Sequence, residues 1–322
     1  MAVYTDITDA ELEALLAGYD LGPPLAFKGI AEGVENSNFL LETTRGRYVL
    51  TVYERRVKAD DLPFFLGLMA WLAEHGFPSA RPVADRGGAL LTTARGKPAA
   101  IVEFMQGLSV RRPTLAHCRE AGGGMAWMHL AADGFPMRRP NDLGQAAWRG
   151  LFAGLGPAAD ALKPGLAATI DADLQTIEGA WPRALPAGVV HADLFPDNVF
   201  FSAGAFAAAI DFYFACEDLL AYDLAVGLNA WCFEPDGTFN VTNARAFVAG
   251  YEQRRPLSKD ERAALSVLAW GAAMRFFLTR LADWGSQPDG ALVRPKDPME
   301  YERKLAVHRA AHAAGGLMLF DA

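Results

Sequence analysis

Val189-Val190-His191-Ala192-Asp193-Leu194-Phe195-Pro196-Asp197-Asn198-Val199-Phe200-Phe201 reads as an apolar strand, a polar turn and a second apolar strand. His191, Asp193 and Asn198 lie in the turn. A further apolar run, Ala207-Ala208-Ala209-Ile210, ends at Asp211-Phe212. Any one of these polar residues alone is an ordinary turn former. Together, between strands that would hold the turn still, they bring two acids and an amide to neighbouring loop ends.

The order H-x-D-L-x-x-x-N, followed by I-D-F, resembles the catalytic segment of the kinase fold. With Ala192 and Asp193 between His191 and Leu194, it is similar to the aminoglycoside phosphotransferase and choline kinase branch, not to the protein kinases. The resemblance implies transfer of a phosphoryl group from ATP to a hydroxyl, with Mg2+. Asp193 is the expected catalytic carboxylate, orienting the hydroxyl and accepting its proton. Asn198 and Asp211 are the expected metal ligands, because magnesium prefers hard oxygen donors. His191 is expected to prop the loop by hydrogen bonds. The implied fold is α+β, a two-lobed protein-kinase-like fold. Residues 1–106 would form a small nucleotide-binding lobe with an antiparallel sheet, and residues 107–322 a larger, mainly helical catalytic and substrate-binding lobe.

The 322 residues suffice for two lobes, and an apolar content of 52% supplies a sizeable core. A net charge of −8 with no basic run speaks against nucleic acid or a membrane surface as partner. Cys118, Cys216 and Cys232 show no metal-like spacing and read as reduced thiols of a cytoplasmic protein. The acidic N-terminus lacks a signal-peptide core, and no apolar run approaches the ~18 residues of a membrane span. No internal repeat is present.

In the first lobe Thr8 and Glu11 form a capping-box pattern ahead of Leu12, Leu15 and Leu16. Strands are expected at residues 25–30, 38–43 and 47–53, with a hairpin turn at Thr44-Arg45-Gly46. The loop of residues 31–37 stands where a kinase lobe covers the phosphates. Gly33 and small polar residues such as Asn36 would let backbone N–H groups approach them. The third strand departs from the kinase pattern, since Thr51 stands where V-A-I-K places its lysine. Alternation sets Val49 and Thr51 on one face, where Val49 can pack on adenine. A helix opens at Asp60-Asp61-Leu62-Pro63 and stops at Gly76, and a hairpin is expected around Arg86-Gly87-Gly88. Glu103 to Met105 is the expected hinge, whose backbone would bind adenine.

In the second lobe Thr114 can cap a helix running through Gly122-Gly123-Gly124, which predicts close packing there. His129 reads as a satisfied helix residue. Two or three helices are expected between Asn141 and Pro186. The branch resemblance gives Asp223 a supporting role beneath the catalytic loop. Arg275 and Arg280 lie in an apolar stretch, so each needs a carboxylate partner or a substrate anion. The last helix, rich in Arg, Lys and His, reads as a solvated face.

Over nearly its full length the chain is similar to the homoserine kinases of the aminoglycoside phosphotransferase-like type. The segments that carry the likeness are residues 29–39 (GIAEGVENSNF), 47–54 (RYVLTVYE), 191–198 (HADLFPDN), 210–215 (IDFYFA) and 229–232 (NAWC). That family also carries Leu-Thr at the lysine position. The resemblance implies L-homoserine as the small-molecule substrate, on the route to threonine. A zwitterion needs partners for both charged ends, and Tyr213, Asp218, Asn229 and Arg275 are candidates by position. Three rivals stand beside it: a choline or ethanolamine kinase with an aromatic cage of Trp231, Tyr213 and Phe212; a methylthioribose or aminoglycoside kinase; and a non-catalytic nucleotide-binding relative, suggested by Thr51.

Overall fold

The computed structural model describes residues 5–30, 36–54, 57–285 and 296–320. The chain divides into two compact units. One comprises Met1–Gly107, Phe135–Arg139 and Ala208–Tyr213, and the other Leu108–Gly134, Pro140–Ala207 and Phe214–Ala322.

The first unit opens with α1 (Asp9–Leu16), whose capping box joins Thr8 and Glu11. Strands β1 (Pro24–Ile30), β2 (Ser37–Thr43) and β3 (Gly46–Val52) form an antiparallel meander, followed by α2 (Leu62–Glu74). Strands β4 (Thr92–Ala94) and β5 (Lys97–Glu103) complete a five-stranded sheet of order β1-β2-β3-β5-β4. Leu12 and Leu16 of α1 share a core with Phe39, Leu41, Leu50, Val52 and Ile101. Period-two alternation turns Val49 and Thr51 to the opposite face. Proline near the first turn of α2 and Gly76 at φ 80° fix that helix's two ends. The hairpin is displaced from the expected Arg86-Gly87-Gly88. There the Asp85 side chain accepts from Gly87 and Ala89 and closes a local loop, whereas the strands reverse at Arg95-Gly96, both at positive φ.

The second unit begins with α3 (Leu115–Ala131), capped by Thr114. Helices α4 (Trp148–Phe152), α5 (Gly156–Leu162) and α6 (Leu166–Ala180) follow, then β6 (Ala187–Val190), β7 (Val199–Ser202), β8 (Ala205–Ala209) and β9 (Cys216–Leu219). The chain closes with α7 (Leu220–Trp231), α8 (Val241–Glu252), α9 (Lys259–Gly285) and α10 (Pro298–Ala313). The glycines of α3 do bring a neighbour close: a Cβ at Gly122 would lie 2.0 Å from the carbonyl oxygen of Phe247, and one at Gly250 would lie 1.9 Å from that of Arg119. Backbones of α3 and α8 therefore meet directly. Helix α9 is long and apolar enough to cross a membrane by length and composition, but most of it is buried within the unit.

Helix α10 corrects the expectation of a solvated face. Tyr301, Glu302, Lys304, Leu305 and His308 are buried. The Lys304 ammonium donates to the Asn229 carbonyl at 2.9 Å and lies 4.4 Å over the Tyr301 ring. Composition alone could not show that these charges have interior partners.

Candidate active site

In the second unit β6 pairs antiparallel with β9, with Val190 opposite Cys216, and delivers the chain into the loop of residues 191–198. Ala192 stands in the left-handed region at φ 60°, a conformation that L-residues adopt at a cost of ~1–2 kcal/mol. Three contacts hold it. The buried carboxylate of Asp223 accepts from His191 N at 2.9 Å and from Ala192 N at 2.8 Å, and the Arg275 guanidinium donates to the Ala192 carbonyl.

Asp193 is the half-buried tip of this loop. Its backbone N–H points at His191 Nδ1, 3.3 Å away, and its carbonyl accepts from Phe195 N at 2.8 Å. Asn198 Nδ2 donates to the Asp193 carbonyl at 2.8 Å and reaches its carboxylate Oδ2 at 3.3 Å. The amide orientation that makes these bonds leaves Asn198 Oδ1 as a hard oxygen donor suited to a divalent cation. The Trp231 indole N–H ties the Leu194 carbonyl at 2.7 Å.

Behind Asp223 runs a relay that no motif announced. His129 Nε2 donates to Asp223 Oδ2 at 2.9 Å, and the Tyr251 hydroxyl meets His129 Nδ1 at 2.7 Å. Arg255 donates to Tyr251 at 3.2 Å and to Glu261 at 2.8 Å. Burial pushes the Asp223 carboxyl up, yet the hydrogen bond and charge of His129 outweigh it and hold the pKa below its usual value. His129 in the middle of α3 was the available signal, since a helix histidine among apolar residues needs a partner.

The other candidates of this unit separate. Asn229 is fully buried and its amide is engaged three times: Nδ2 donates to Ala225 and Ala269, and Oδ1 lies 2.9 Å from His308 Nε2. Asp218 accepts from Asn141 at 2.6 Å and from Leu219 N at 2.7 Å, and burial pushes its carboxyl up. Arg275 lies 4.5 Å over the Phe276 ring and 5.4 Å over that of Phe214. Arg280 pairs with Glu300 at 2.7 Å.

In the first unit Asp211 also stands at positive φ, 64°, two residues past the end of β8. Such strain in a non-glycine residue gathers at functional positions. The Tyr213 hydroxyl lies 3.0 Å from that of Tyr53, and burial pushes its pKa up to about 12. Thr51 donates to Asn38 at 2.9 Å, so a neutral hydroxyl network occupies the lysine position of the third strand. Val49 is half-buried on the same face. At the expected hinge, Glu103 N donates to Arg81 and Phe104 N to Arg47, and Met105 follows, half-buried. Asn36 accepts from Glu54 N at 3.3 Å, while Gly33 lies outside the described residues. Glu54 accepts from Thr5, Ser37 and Lys97, an ionic knot invisible in the sequence because strand register, not spacing, joins its members.

Residues 26–257 match the phosphotransferase enzyme family. A homoserine kinase of Caulobacter vibrioides (strain NA1000 / CB15N) is 71% identical over 321 residues, covering 99% of this chain and 100% of the relative. A homoserine kinase of Xanthobacter autotrophicus is 60% identical over 314 residues, 98% of each chain. Among solved structures, an amicoumacin kinase complex with AMP-PNP superimposes with a TM-score of 0.69 at 16% identity, over 98% of this chain and 96% of the other. A spectinomycin phosphotransferase complex with ADP gives 0.65 at 14% identity, over 97% of each. These two likenesses establish the two-lobed kinase-like α+β fold.

Proposed function

The chain belongs to the phosphotransferase enzyme family and, within it, to the homoserine kinases, and from that premise we propose that it moves the γ-phosphoryl group of ATP to the side-chain hydroxyl of L-homoserine. The observation that carries the substrate is the end-to-end likeness to relatives of that name.

Each residue then has a task. Asp193 orients the homoserine hydroxyl and takes its proton as the oxygen attacks phosphorus. Asn198 holds Asp193 in place through Nδ2 and offers Oδ1 to magnesium. Asp211 is the second ligand, on the strength of the motif and the chemistry of a hard carboxylate. Magnesium, when bound, would neutralise charge on the phosphate oxygens. Asp223, braced by His129, fixes the backbone beneath Asp193. Val49 packs on adenine, and Met105 with Glu103 forms the hinge that binds its edge. Asn36 and Gly33 belong to the loop over the phosphates.

Asn229 we place with the supporting residues, because both its amide hydrogens are used within the core, its Oδ1 meets His308 and the residue is fully buried. Tyr213 likewise supports the Asp211 segment through Tyr53. Asp218 is the carboxylate set aside for the ammonium group. The three cysteines are free and buried, which suits a reducing cytoplasm.

The choline reading needs an open aromatic cage. Trp231 is instead buried with its N–H on Leu194, and Phe212 is fully buried.

The test is ADP release by purified protein with homoserine, choline, ethanolamine, methylthioribose and kanamycin, with O-phosphohomoserine identified by phosphorus NMR. Homoserine should lead in kcat/KM. Another acceptor ahead by tenfold or more refutes the substrate. Asp193→Asn should lower kcat by at least about a hundredfold with ATP binding intact; undiminished turnover would remove Asp193 from its role.

A further inference from the structure

Among the described residues, the second unit's buried donor groups without a partner include the Tyr301 hydroxyl and Nε of Arg275, beside the Tyr222 hydroxyl and Trp270 Nε1. Tyr301 is 0% and Arg275 2% exposed. Buried polar atoms are almost always hydrogen-bonded, and an orphan destabilises the fold unless something else satisfies it. Arg275 adds a second anomaly. Its guanidinium donates to the neutral carbonyl of Ala192, and among the described residues it has no ion-pair partner. A buried guanidinium without a carboxylate in contact is rare.

Tyr301 and Arg275 belong to one layer beside the catalytic loop. The Arg275 guanidinium lies 4.5 Å over the Phe276 ring, and Tyr301 stacks on Phe276 at 5.2 Å. Phe276 also meets Phe195, two residues beyond Asp193, at 5.1 Å. Arg280 lies 4.5 Å over the Tyr301 ring, and Lys296 lies 5.8 Å over Phe195. Burial pushes the Tyr301 hydroxyl's pKa up, and Arg280, Glu300, Asp193 and Arg275 also act on it electrostatically. The layer is aromatic in its walls and cationic in its field, and its unused groups are hydrogen-bond donors. That combination fits a small carboxylate.

We propose that the Tyr301 hydroxyl and Arg275 Nε bind the α-carboxylate of the acceptor amino acid, which makes Tyr301 a specificity residue. The assignment rests on the homoserine reading and deepens it. Arg275 then has two tasks, bracing Ala192 through one nitrogen and receiving substrate through another. A carboxylate anchored there leaves the γ-hydroxyl, a few bonds away, to meet Asp193.

Tyr301→Phe removes one oxygen and no volume. The experiment compares wild type and Y301F on L-homoserine and on 3-aminopropan-1-ol, which is homoserine without its carboxylate, with thermal melting run alongside. Y301F should lose at least tenfold in kcat/KM for homoserine, mainly through KM, and change less than twofold for 3-aminopropan-1-ol and in KM for ATP. Its Tm should stay level or rise, because an orphan hydroxyl has been removed. Equal losses on both acceptors, or no loss on homoserine, overturn the subsite while wild-type activity on homoserine leaves the function standing. A wild type inert toward homoserine overturns both.

Discussion

Asp223 Oδ1 accepts the backbone N–H of Ala192 at 2.8 Å, and Ala192 is the residue that carries the chain through the left-handed region, one step before Asp193. The strain is local and the restraint is tertiary. Asp223 holds the N–H side, Arg275 holds the carbonyl, and His129 keeps Asp223 ionised and aimed. The carboxylate proposed to accept the substrate proton is thus placed by a second, fully buried carboxylate.

Asp223→Ala should strand two backbone N–H groups, at about 1–3 kcal/mol each, and release the loop. Chemical denaturation should show a loss of about 3 kcal/mol, and kcat should fall at least about a hundredfold, since misplacement by 1 Å can cost that much. Ala192→Gly should keep kcat within about threefold, because glycine adopts the same φ without strain. A glycine variant as impaired as the alanine one would show that the side chain, not the turn, matters.

Asp211→Ala should remove a metal ligand and a charge beside the phosphates together. ATP affinity measured by calorimetry should lose its dependence on magnesium, while affinity in EDTA changes little. Superimposable magnesium titrations of variant and wild type would clear Asp211 of the role.

The helix starts at Thr8 and Thr114, the β2–β3 turn and the three-glycine contact of α3 were legible because each rests on a short local pattern: a cap, a turn residue or a missing Cβ. The loop from His191 to Asn198 was legible for the same reason, its members lying within eight positions. The relay from Asp223 through His129 and Tyr251 to Arg255 was not, because it joins three helices whose mutual packing no spacing encodes. Helix α10 misled for a related reason. Its lysine and histidine look solvated until the carbonyl and side-chain oxygen of Asn229, from another helix, are brought to meet them.

His308 gives the fold an acid limit. Burial, with the charge of Lys304 beside it, pushes its pKa down to about 3 from an ordinary 6.5. Between those values the unfolded chain holds a proton that the folded chain refuses, so stability rises with pH and is lost as pH falls below 6.5. From pH 6.5 to 5 the loss from this residue alone is about 2 kcal/mol. His308→Gln keeps a donor for Asn229 and does not titrate. Its stability relative to wild type should improve by about that amount over the same interval in urea melts. A difference that is constant with pH would show that His308 is not the acid-labile group.

Thr51 stands where kinases place a phosphate-binding lysine, and its surroundings argue that it is no weakened substitute for one. It is 3% exposed, and its hydroxyl donates to Asn38 at 2.9 Å across the β2–β3 pairing. A hydroxyl whose proton is given to Asn38 has little left to give a phosphate; its contribution is to lock two strands together. Thr51→Val preserves shape and deletes only the hydroxyl. The loss in stability should be about 1 kcal/mol, visible as a lower melting temperature. KM for ATP should stay within about threefold, because no charge is removed and a lost uniform binding contact would be needed to raise it. If KM for ATP instead rises tenfold while stability holds, the hydroxyl faces the nucleotide and carries part of the lysine's role.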